Sequence, residues 1–81
     1  MSNPAQHLGL LLVDFQDPFL NPVPDRERLL KRTHFAIEAA SLLGCPIAVT
    51  EQLPEKLGST TATLKAILPE HTPLFEKTSF S

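Results

Sequence analysis

Cysteine is almost missing from this chain: among 81 residues only Cys45 is one, so no disulfide framework staples a small core. A surplus of one charge is missing too. Seven Lys and Arg stand against nine Asp and Glu, a net charge of -2. The two signs are interspersed, which excludes a basic track for nucleic acid and an acidic tail. No apolar run approaches the ~20 residues of a membrane span. Met1 to His7 carry neither the basic region nor the small-residue cleavage site of a secretory signal. The expectation is a cytoplasmic, reducing location with no membrane or nucleic-acid partner. Glycine is scarce, three in all, and none lies between Asp14 and Pro24. A glycine-rich phosphate loop after the first strand is thereby excluded. No repeat, low-complexity tract or linker divides the chain, which reads as one domain or part of one. It is short for an α/β domain, since a chain of this length buries only about 60% of its unfolded surface.

What is present begins with Leu8 to Val13, an apolar run that ends abruptly at Asp14. Such a run reads as a strand buried on both faces, as in parallel sheets covered by helices. Ligands of open parallel sheets bind outside the carboxyl ends of the strands, which makes Asp14 the first candidate for chemistry. Phe15 to Pro24 holds three prolines in ten residues, which predicts no regular structure. Ten residues is long for a βα connection of about 2–6. The stretch reads either as a stiffened connector with Phe15 and Phe19 over the core or as a site-forming loop. Asp25 is placed to cap a helix whose stripe is Leu29, Thr33, Ala36, Ile37, Ala40 and Leu43. Gly44 stops it and Pro46 prevents its continuing. Pro46 to Thr50 is a second strand, so the first half is a βαβ unit with parallel strands and a right-handed crossover. Glu51 to Ser59 reads as a polar loop. Thr60 or Thr61 then caps a shorter helix through Leu68, and Thr72 to Phe75 reads as a third strand.

Asp14, Glu51 and Lys77 each fall just past the carboxyl end of a predicted strand. If the strands are parallel neighbours, the three side chains share one crevice. A carboxylate beside an ammonium can serve as a proton-transfer pair next to a nucleophile; it can equally be an ordinary ion pair at solvated strand ends. Cys45 lies at the amino end of the second strand, about 15–20 Å from that crevice by strand rise, and reads as a buried, inert thiol. His7, His34 and His71 are scattered on tail, helix and loop, and do not converge as metal ligands do. A magnesium-dependent receiver domain would cluster carboxylates, yet Asp14 has no acidic residue immediately beside it.

The segments LLLVDFQDPF, VTEQLPEKLGST and FEKTSFS, in that order, resemble the N-terminal half of isochorismatase-like cysteine hydrolases. The match is closest to the branch with a TEQ loop and a lysine before a Phe-Ser pair, and it runs from Leu8 to Ser81. The resemblance implies a Rossmann-like three-layer parallel-sheet fold, of which this chain supplies about three strands and two helices. It also implies an Asp–Lys–Cys triad that hydrolyses small amide, ester or vinyl ether substrates, with Asp14 and Lys77 catalytic. Asp14 would take the nucleophile's proton and Lys77 would hold the charged groups, while Gln16 and Phe19 would shape the substrate pocket. The family's nucleophilic cysteine follows a fourth strand, and no residue of this chain stands in for it. The metal-binding branch carries Asp-x-His where this chain has Glu51-Gln52-Leu53, so no metal or cofactor is expected.

Residues 1–81 are therefore expected to be a partial, N-terminal hydrolase domain, inactive by themselves. Their expected partner is the missing half or a second copy, because the family's strand order leaves Leu8–Val13 as an open edge. Both helices should also cover one sheet face and leave the other bare. The alternative is a non-catalytic α/β association module.

Overall fold

A computed structural model of the chain describes residues 7–78. The elements run β1 Leu10–Val13, α1 Asp17–Leu20, α2 Arg26–Leu43, β2 Ile47–Gln52, α3 Pro54–Leu57, α4 Ala62–Lys65 and β3 Leu74–Lys77. The strands form one parallel sheet of order β1-β2-β3. Leu12 is level with Val49, and Val49 with Leu74. The expected βαβ unit is thus present, with α2 as its crossover and a third parallel strand beyond it.

Successive strand residues face opposite sides of a sheet. Leu12, Ile47 and Val49 turn to the side where α2 and α4 lie, and meet Ile37, Ala40 and Leu64 in the core. Leu12 and Ile37 are fully buried, each worth roughly 1.5–3 kcal/mol relative to an exposed side chain. Among the described residues the other side is largely uncovered, except at its carboxyl end, where Gln52 is buried. Leu11, Val13 and Phe75 lie on it, 56%, 51% and 59% exposed. Strand β1 is therefore covered on one face only, and it is shorter than expected: Leu8 is exposed and pairing begins at Leu10.

The helix expected after Asp25 is α2, and it ends as expected at Gly44, with φ 71°. Its buried stripe differs at both ends: Leu43 is 63% exposed at the C-terminal end, and Leu30 packs against the core near the N-terminal end. Two stretches expected to be irregular each hold a helical turn. Pro18 and Pro54 occupy the first positions of α1 and α3, where a missing N–H costs nothing because no partner exists there anyway. The helix expected through Leu68 is regular only over Ala62–Lys65, although Ile67 and Leu68 still reach the core. Strand β2 runs through Gln52, past the expected end at Thr50. Its extension is paired on one side by β3, Glu51 level with Glu76 and Gln52 with Lys77.

Candidate active site

Asp14 ends β1 with a left-handed backbone, φ 57°. Its N–H donates to the Thr50 carbonyl at 3.1 Å, closing the β1–β2 ladder as the chain turns away. Both carboxylate oxygens are held. The Thr50 hydroxyl donates to Oδ1 at 2.9 Å and the Lys77 ammonium to Oδ2 at 2.8 Å. Asp14 and Lys77 are 63 residues apart in sequence; they meet because each closes a strand of the same parallel sheet. Their side chains are 23% and 40% exposed, within reach of a ligand. A pair this open adds about 1 kcal/mol or less to stability. A carboxylate fixed by two donors is positioned to accept a proton, and the ammonium beside it to stabilise a developing anion.

Glu51, expected in the same crevice, is not there. It lies inside β2, 4% exposed, on the helix-covered face. Its Oε2 accepts from the Thr60 N–H at 2.6 Å and the Thr60 hydroxyl at 2.8 Å. The sheet itself separates it from Asp14 and Lys77. Because β2 extends past Thr50, alternation sends Glu51 inward and only its neighbours outward.

Gln16 is fully buried. Its Oε1 accepts from the Gln52 N–H at 2.7 Å, while its Nε2 donates to the Gln52 carbonyl at 2.9 Å and the Gly58 carbonyl at 2.6 Å. The carboxamide thus substitutes for a peptide unit where β1 has left the sheet, and completes the pairing of β2 on that side. The Thr61 N–H donates to the Phe15 carbonyl at 2.7 Å and laces the same two loops together. Phe19 lies on α1, 40% exposed.

Gln52 belongs to the TEQ segment that carries the resemblance, but the sequence assigns it no role of its own. It is 4% exposed, and its Nε2 is a buried donor without a hydrogen-bond partner among the described residues. Period-two alternation from Thr50 puts it on the same face as the Thr50 hydroxyl and level with Lys77. That signal was readable only once the strand was known to run through residue 52.

Cys45 is half-buried against the core and precedes β2, at the end of the sheet away from Asp14. His34 lies beside Glu38 on α2, 3.4 Å away, and His71 in a turn with φ 64°. No three His, Cys, Asp or Glu side chains among the described residues gather at metal-binding distance. Nor is any helix of the described residues long and apolar enough to cross a membrane.

No family model matches the chain, and no curated protein matches it. Among solved structures it is similar to a MAR1 ribonuclease from Caenorhabditis elegans, with 38% identity and a TM-score of 0.79. The likeness covers 85% of this chain and 36% of that one, so the chain spans about a third of its neighbour. The three-stranded parallel α/β arrangement matches part of an isochorismatase-like fold.

Proposed function

We propose that this chain is the N-terminal part of an isochorismatase-like cysteine hydrolase acting on a small amide, ester or vinyl ether. The observation that carries the reading is the Asp14–Lys77 contact of 2.8 Å, at the carboxyl ends of two parallel strands. For a carbonyl substrate the steps are those of a thiol nucleophile. Asp14 accepts the proton of a cysteine thiol, and the thiolate adds to the carbonyl carbon. Collapse expels the amine or alcohol, which takes a proton from the Asp14 carboxyl, and water then hydrolyses the acyl-thioester. Lys77 holds the Asp14 carboxylate in place throughout and offsets the negative charge on the reacting atoms. Cys45, at the opposite end of the sheet, does not supply the thiol; a cysteine outside these residues does. Gln16 shapes the pocket by fixing the backbone of Gln52, and Phe19 flanks it. The same reading places the protein in the cytoplasm and puts a further segment or a second copy over the bare sheet face.

Kinetics of the full-length protein that carries this chain are the test, on a panel of small amides and esters. Asp14→Asn and Lys77→Met are each expected to lower kcat by about 10²–10⁴. Both variants should melt within a few degrees of wild type, because the pair is half-open to solvent and its ion pair adds about 1 kcal/mol or less. Retention of wild-type kcat by both would leave the association module as the better account. The neighbour's name makes RNA the comparison substrate. RNA turnover lost in both variants, with no amide or ester hydrolysed by the wild type, would overturn the small-substrate reading.

A further inference from the structure

Gln52 combines two observations that point to a ligand. Its side-chain nitrogen is a donor with no partner among the described residues, although the residue is 4% exposed. Buried polar groups nearly always find a partner, and one left unpaired is a cost that the fold carries for some return. The residue also stands beside the Asp14–Lys77 pair. Gln52 shares a sheet face with Thr50, whose hydroxyl holds Asp14, and is level with Lys77, whose ammonium holds the same carboxylate. Its backbone is clamped on both sides, by the Gln16 carboxamide and by β3, so the side chain starts from a fixed base.

Resting on the reading of this sheet end as a substrate site, we infer that the Gln52 carboxamide is its oxygen-binding group. Its Nε2–H donates to the carbonyl oxygen of the substrate. The acceptor class follows from charge: Asp14 and Lys77 neutralise each other and Gln52 is neutral, so the site suits an uncharged carbonyl rather than a carboxylate. The preferred substrate is thus an uncharged amide or ester.

Benzamide is the probe, with benzylamine, which lacks the oxygen, and benzoate, which carries charge, as controls. In the full-length wild-type protein, benzamide is expected to shift the assigned Gln52 side-chain amide resonances in ¹⁵N NMR, and the two controls are not. Gln52→Met, similar in shape but without the donor, is expected to weaken benzamide binding by about tenfold or more. Its melting temperature should be equal or higher, since the orphan donor is gone. Resonances unmoved by benzamide, or equal affinity in wild type and Gln52→Met, would overturn the inference. So would a lower melting temperature with unchanged affinity, which would assign Gln52 to stability alone. The catalytic reading fails separately, through kcat retained in Asp14→Asn, and that outcome leaves the benzamide measurement intact.

Discussion

Asp14 holds a backbone conformation that costs a residue with a Cβ about 1–2 kcal/mol, and it does so at the point where both of its oxygens are engaged. The Thr50 hydroxyl is what secures it from the sheet side, accepting from the Asp14 N–H at 3.2 Å while donating to Oδ1. Thr50→Val keeps the shape and removes both bonds. Urea unfolding should show a loss of about 1 kcal/mol, and kcat of the full-length protein should fall while KM holds. Thr50→Ser should restore kcat, which loss of packing alone would not allow. Glu51 makes the contrasting case. Glu51→Ala strands a buried N–H and hydroxyl of Thr60, and is expected to cost about 1–3 kcal/mol in urea. Across the sheet from Asp14, it should leave kcat per folded molecule unchanged. A kcat collapse at constant stability would return Glu51 to the active site.

Elements form here where local chemistry and packing agree. Helix α2 is the clearest instance, with Ile37 and Ala40 one turn apart on its buried side and Gly44 ending it. At Gly44 φ is 71° and the space around an added Cβ is empty, so Gly44→Ala meets strain without a clash. A loss of about 1 kcal/mol is expected by thermal unfolding. The βαβ order was legible because apolar runs, a helical stripe and a glycine-proline stop repeat at the right spacing. The end of β2 was not. Glu51-Gln52 looks polar, and therefore like loop, but one side chain is pinned by Thr60 and the backbone of the other by Gln16, 36 residues upstream. Nothing local to Glu51 and Gln52 announces such partners. The turns α1 and α3 were hidden for another reason: proline at a helix start reads the same as proline in a loop.

At the scale of the whole molecule, two crossovers of the same hand put α2 and α4 on one side of the sheet and leave Leu11, Val13 and Phe75 bare on the other. As an 81-residue polypeptide, the chain is expected to bind a hydrophobic fluorescent dye and to sediment above its monomer mass. Leu11→Thr with Phe75→Thr should reduce both signals; a dye-silent monomer would show that the face needs no cover. Composition and periodicity sufficed for the class of fold, the direction of the strands and the presence of an acid after β1 and an amine at the end of β3, because those depend on neighbours near in the chain. Which charged groups meet depended on where each strand stops, since one residue more or less moves a side chain through the sheet. That shift sent Glu51 to the core and left Gln52 beside Lys77, while the meeting of Asp14 with a lysine 63 residues away followed from the strand ends, as expected.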